Sequence, residues 1–179
     1  MMADTRCGFA VWFTGLPSSG KTTLARALQE RLASAGIHTQ LLDSDELRAR
    51  LFPHPTYTAQ ERARFYDLIV FLAGILTRNG VNVLIAATGQ KRAYRSAARA
   101  EVARFYEVHV ECTPEICRRR DPKGLWEKAA RGEIHNLPGA DAPYEPPLDP
   151  DVTVQNDRLS VCAAVDLIYD TLSRQGCWR

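Results

Sequence analysis

The chain has 179 residues, of which 45% are hydrophobic and 25% charged, and its formal net charge is +2. That balance excludes a disordered chain, and the length suits one domain, residues 1–179, with a core of its own. The small net charge supplies no global field toward nucleic acid or anionic lipid, so neither is an expected partner.

The first residues, MMADTRC, lack the apolar run of a signal peptide. The five cysteines, Cys7, Cys112, Cys117, Cys162 and Cys177, form no C-x-x-C pair. An odd count without such a pair argues against a disulfide framework or a zinc site and fits a reducing cytoplasm. Cys112 and Cys162 lie in apolar patterns, which predicts core positions.

Taken in order, FAVWFTG at 9–15 reads as the first strand. It runs straight into Gly15-Leu16-Pro17-Ser18-Ser19-Gly20-Lys21-Thr22, which fits the Walker A pattern G-x-x-x-x-G-K-[ST]. KTTLARALQERLASAG then reads as an amphipathic helix over 21–35 ended by Gly36. Strand, loop and helix in this order make a phosphate cradle. The glycines allow a tight turn of inward-pointing amides, and the helix N-terminus favours anions. Residues 15–23, Thr23 included, are therefore expected to bind ATP. Lys21 would reach the β- and γ-phosphates, and the Thr22 hydroxyl would bind Mg²⁺.

HTQLLD at 38–43 is the second strand candidate, leading into LLDSDELR. If the chain stays extended, Asp43 and Asp45 project to the same side. A carboxylate at this strand end accepts a hydroxyl proton or holds Mg²⁺; the plainer alternative is that Ser44 or Asp45 caps the next helix. A helix is predicted over 58–79, and its LIVFLAGIL stretch at 68–76 is too short to span a bilayer and reads as buried. VNVLIAA at 81–87 lacks polar alternation and suits a central strand. A helix at 92–104, strands at 105–111 and 151–156, and a helix at 160–174 complete the alternation. The pattern predicts a three-layer α/β/α sandwich around a five-stranded, mainly parallel sheet of the P-loop NTPase class. Residues 118–150, with six prolines, interrupt it and read as a long functional loop.

Four stretches together resemble the adenylyl-sulfate (APS) kinase family: the WFTGL strand with its Walker loop, LDSDELR at 42–48, RDPKGLWEKAARGEI at 120–134 and DAPYEPPLDPDV at 141–152. The resemblance covers nearly the whole chain. It implies transfer of the ATP γ-phosphate to the ribose 3′-hydroxyl of adenylyl sulfate, as part of sulfate assimilation. By position it makes Asp45 and Lys21 catalytic, puts Asp43 beside Thr22 on the Mg²⁺ side, and places Arg48, Tyr57, Arg62, Thr88 and Lys123 on substrate. Residues 118–150 become a lid carrying Arg120 and Lys123. Trp126 and Tyr144 read equally well as hydrophobic anchors of that lid. The family often dimerises, so a homodimer is the expected assembly.

The chain departs from the family pattern on the acceptor side. Phe65 stands at a substrate-binding asparagine, with Asp67 and Leu68 at an arginine pair. Gly89 stands at a serine and Leu137 at a base-stacking phenylalanine, while Arg95 keeps its arginine. Two alternatives follow. One is a kinase of the same mechanism acting on another nucleotide conjugate, such as cytidine diphosphoramidate. The other is a nucleotide-binding regulator without activity.

Overall fold

The computed structural model describes residues 7–52 and 55–178. The MMADTR part of the N-terminal reading lies outside the described residues. Five strands, β1 Ala10–Thr14, β2 Thr39–Asp43, β3 Asn82–Ala86, β4 Phe105–Glu111 and β5 Val152–Gln155, form one sheet in the order β2-β3-β1-β4-β5. Every pairing is parallel. Between them run α1 Lys21–Ser34, α2 Ser44–Leu51, α3 Ala59–Arg78, α4 Arg92–Glu101, α5 Pro114–Arg120, α6 Leu125–Ala130 and α7 Val161–Arg174.

The period-two geometry of β1 divides the core. Phe9, Val11 and Phe13 face α1 and α7, meeting Leu24, Leu28, Ile168 and Leu172. Ala10 and Trp12 face α3 and α4, meeting Phe65, Ile69, Ala73 and Ala98. A parallel sheet is thus covered on both faces, which explains why β1 is buried along its whole length. Each large apolar side chain removed from water there contributes about 1.5–3 kcal/mol.

Three expectations change. The LIVFLAGIL stretch is helical, but Phe71 and Ile75 on α3 are exposed, because the buried stripe of α3 runs through Phe65, Tyr66, Ile69, Val70, Ala73, Gly74 and Thr77. Cys162 is exposed rather than buried. It lies on the first turn of α7, whose inward face runs through Ala164, Val165, Ile168 and Leu172. Finally, residues 118–150 are not all loop, since α5 extends to Arg120 and α6 spans Leu125–Ala130. Thr113 caps α5 with its hydroxyl and Pro114 opens it; Asp121 accepts from the amides of Leu125 and Glu127 at the start of α6. No helix among the described residues is long and apolar enough to cross a membrane.

Candidate functional site

The carboxyl ends of the parallel strands open onto a cavity of about 1020 Å³. Large clefts at this edge are where open α/β sheets bind ligands. Its lining includes Pro17, Ser18 and Gly20 to Thr23 of the Walker loop, both Asp43 and Asp45, and Arg48, Tyr57, Arg62, Thr88, Arg120, Lys123 and Leu137. One space therefore collects most of the residues singled out in the sequence. Gly15, Leu16 and Ser19 belong to the loop without lining the cavity.

The loop turns between β1 and α1, with the Ser19 amide donating to the Leu16 carbonyl at 3.1 Å. Gly20 is the N-cap of α1 at φ 100° and brings no side chain to its orphan amides. Those amides are left for an anion at the positive end of a 14-residue helix. A Cβ at Gly20 would collide with the side-chain amide of Asn156. That amide donates to the Ser19 carbonyl at 2.6 Å, while the Asn156 carbonyl accepts from Arg120 Nη2 at 2.7 Å. Asn156 thereby ties the tip of β5 to the loop and to the end of α5.

Lys21 Nζ donates to the carbonyls of Gly15 and Leu16 at 3.1 and 2.8 Å, which draws the ammonium across the mouth of the loop. Although its side chain opens onto the cavity, it is surrounded by protein. Burial lowers its pKa from 10.5 to about 8 against the opposing charge of Asp45.

The chain does not stay extended past Asp43. Asp43 ends β2 and is itself the N-cap of α2, its Oδ1 accepting from the Asp45 amide at 2.8 Å. Neither Ser44 nor Asp45 is the cap. The two carboxylates instead share the cavity because Asp45 lies in the first turn of α2, directly after its Asp43 cap. Oδ2 of the buried Asp43 accepts from the Thr22 hydroxyl at 2.8 Å. This hydroxyl and carboxylate are hard oxygen donors side by side, the kind Mg²⁺ takes from protein when phosphates and water complete its shell. Among the described residues no group of three or more His, Cys, Asp or Glu could hold a metal by itself.

Aromatic and guanidinium groups build the wall beyond α2. The Arg48 guanidinium lies 3.9 Å from the Phe65 ring centre and 5.0 Å from that of Tyr57, and Arg62 lies 5.3 Å from the Tyr57 ring. Arg62 Nη2 also reaches the Asn136 carbonyl at 2.6 Å, joining α3 to the 118–150 segment. From that segment Lys123 pairs with Asp45, and Trp126 Nε1 donates to the Pro17 carbonyl at 3.2 Å. Trp126 is buried with Cys112, Cys117 and Leu137. The half-buried Tyr144 is held by a polar contact instead, its hydroxyl 3.1 Å from that of Thr14, which donates to the Thr88 carbonyl at 2.6 Å.

The departures from the family pattern do not all fall in the site. Phe65 and Leu137 line the cavity. Asp67 and Leu68 do not; they border a separate groove with Val70, Phe71 and Glu101 on the outer side of α3. Arg95 is buried and pairs with Glu107 at 2.5 Å, and its Nη2 donates to the Glu145 carbonyl at 2.7 Å. Asn156 and Glu61, which the sequence reading passed over, carry several of the contacts here. Asn156 follows the last strand directly, and Glu61 completes a T-x-x-E capping box with Thr58, so both had a local mark.

A family model described as adenylylsulphate kinase matches residues 7–155. The chain belongs to the adenylyl-sulfate kinase family. It is 42% identical over 150 residues to a probable adenylyl-sulfate kinase of Archaeoglobus fulgidus, covering 84% of this chain and 97% of the relative. Identity to the adenylyl-sulfate kinase of Chloroflexus aurantiacus is 41% over 170 residues, or 95% of this chain and 91% of the relative. The structure of the Mycobacterium tuberculosis APS kinase in complex with AMPPNP and APS superposes with a TM-score of 0.87 at 35% identity, covering 93% of this chain and 98% of that one. The three-layer P-loop kinase architecture of the adenylyl-sulfate kinases is therefore the architecture of this chain.

Proposed function

We propose that the protein is an ATP-dependent adenylyl-sulfate kinase, transferring the γ-phosphoryl group to the 3′-hydroxyl of adenylyl sulfate. The observation that carries this reading is the convergence of the Walker loop, the Asp43–Asp45 tip and the Arg48–Tyr57–Arg62 wall on one cavity. Donor and acceptor each have a half of it.

In this reading Asp45 takes the proton of the attacking hydroxyl. The oxygen–phosphorus bond forms as the bond to the β–γ bridging oxygen breaks, and ADP leaves. Lys21 and the first amides of α1 stabilise the charge on the transferring group. Thr22 and Asp43 would hold Mg²⁺, which supplies further charge neutralisation at the phosphates. Residues 118–150 act as a lid whose Lys123 and Arg120 sit beside the reacting groups and keep water out. The protein works in the cytoplasm, on small nucleotides, as a homodimer.

The test is a panel. Purified protein with Mg·ATP is given adenylyl sulfate, cytidine diphosphoramidate or a plain nucleoside 5′-diphosphate, and ADP and 3′-phosphorylated product are measured. Product with adenylyl sulfate alone supports the reading. Product only with another nucleotide, or ATP binding without any product, overturns it. Asp45→Ala is expected to abolish turnover and leave ATP binding largely in place.

A further inference from the structure

Glu61 touches neither the Walker loop nor the Asp43–Asp45 tip, yet both oxygens of its carboxylate are engaged. Oε1 accepts from Arg48 Nη1 at 2.9 Å and from the Tyr57 amide at 3.2 Å. Oε2 accepts from the Thr56 amide at 2.6 Å and the Thr56 hydroxyl at 2.7 Å. The Glu61 and Arg48 side chains are each only 11% exposed. In a capping box the glutamate usually turns back to the amide of the cap residue. Here the Thr58 hydroxyl accepts from the Glu61 amide at 3.2 Å, but the carboxylate reaches past Thr58 to the two residues before it. Burial opposes ionisation. The hydrogen bonds from Thr56 and Tyr57 and the charge of Arg48 outweigh it and hold the carboxyl below its usual range.

Two walls of the cavity depend on these contacts. Tyr57 stands at φ 53°, a left-handed backbone that a tyrosine adopts only when its surroundings hold it there. Arg48 has one edge on Glu61 and lies over the Phe65 and Tyr57 rings. Its remaining N–H groups meet no acceptor among the described residues, although the side chain is largely buried and borders the cavity. These donors border the cavity without a protein acceptor, so an anionic oxygen bound there can take them in charge-assisted hydrogen bonds.

We propose that Glu61 is the positioning residue of the acceptor half-site. One carboxylate orients the unspent donors of Arg48 and fixes the backbone of Tyr57, so that both meet the anionic nucleotide in a single geometry. This rests on the kinase reading above. A negative partner also weakens the attraction of Arg48 for anions, so the two effects of removing it have opposite signs; the assignment requires that orientation wins.

The experiment compares steady-state kinetics of the wild type with Glu61→Gln, Glu61→Asp, Arg48→Ala and the Arg48→Ala/Glu61→Gln double variant. Loss of one charge-assisted contact predicts that Glu61→Gln raises KM for adenylyl sulfate about tenfold. KM for ATP and the affinity for a non-hydrolysable ATP analogue stay within about twofold, because that half-site is built from other elements. Glu61→Asp restores much of the acceptor KM, and in the Arg48→Ala background Glu61→Gln adds little. An unchanged or lowered acceptor KM, or equal rises for both substrates, overturns the assignment. If the wild type makes no product from adenylyl sulfate, the kinase reading on that acceptor fails; Glu61 is then judged by the same ratio on whichever panel nucleotide is phosphorylated.

Discussion

The hydroxyl of Thr22 donates to Asp43 Oδ2 at 2.8 Å, while Oδ1 of the same carboxylate accepts the amide of Asp45. Asp43 thus serves α1 and α2 at once, and its two oxygens have separable duties. Asn caps a helix about as well as Asp, whereas Ala forfeits roughly 1 kcal/mol. Asp43→Asn is expected to keep the melting temperature and to raise the Mg²⁺ concentration needed for half-maximal activity. Asp43→Ala should do the latter and also melt lower. Thermal melts beside a Mg²⁺ titration separate the two; equal metal dependence in wild type and Asp43→Asn removes Asp43 from the metal site.

Lys21 predicts two pH trends of opposite direction. Its folded-state pKa of about 8 lies below the ordinary 10.5, because burial penalises the charged form. Between those values the unfolded chain binds more protons than the folded one, so stability rises with pH across that window. The burial penalty is fully present below about pH 8. Over the same interval the lysine loses its charge, so affinity for an ATP analogue falls. Denaturant melts and calorimetric titrations from pH 7 upward check both trends, and Lys21→Met is expected to flatten both.

Gly89 is expected to resist the serine that its family pattern carries. Its φ is 51°, and an added Cβ would lie 3.1 Å from the Trp12 ring and 3.2 Å from Arg95. A non-glycine residue held there costs on the order of 1–3 kcal/mol. Gly89→Ser should therefore lower the denaturation midpoint. A midpoint equal to the wild type would show that Trp12 and Arg95 yield without penalty.

Leu137 borders the cavity from the segment that also buries Trp126. Replacing it by phenylalanine supplies a stacking face worth about 1 kcal/mol, or several-fold in affinity. Adenylyl sulfate is expected to bind Leu137→Phe more tightly by calorimetry, with ATP-analogue affinity unchanged. Weaker binding would place the acceptor base elsewhere.

The sheet and the Walker loop were legible because their marks are local: apolar runs of strand length, and glycines spaced around a lysine. The tip of β2 was not, because D-S-D suits an extended strand end and a capped helix start equally, and only tertiary packing makes Asp43 the cap. Prolines and glycines concealed α5 and α6, whose short helices rest on the Trp126 cluster more than on their own propensity. Asp67 and Leu68 show the limit of positional matching. Their alignment suggested a reversed charge at the acceptor, and the face of α3 they occupy turns them away from it. Asn156 and Glu61 carry local marks, a strand end and a capping box, but those marks do not show that Asn156 reaches Ser19 across the chain or that Glu61 turns to Arg48, Thr56 and Tyr57.

The strand order carries a further consequence. β1 holds the Walker loop at the centre, β3 and β2 lead to Asp43 and the arginine wall on one flank, and β4 and β5 lead to Arg120 and Asn156 on the other. In the proposed kinase reading, most of the acceptor's surroundings hang from residues 43–52, 55–66 and 118–150, apart from β1 and the loop that would cradle the triphosphate. With Asp43 and Asp45 held fixed, substitutions elsewhere in those stretches reshape the wall that meets the alcohol and leave the Walker loop on β1 untouched, so the choice of acceptor can change without rebuilding the triphosphate cradle.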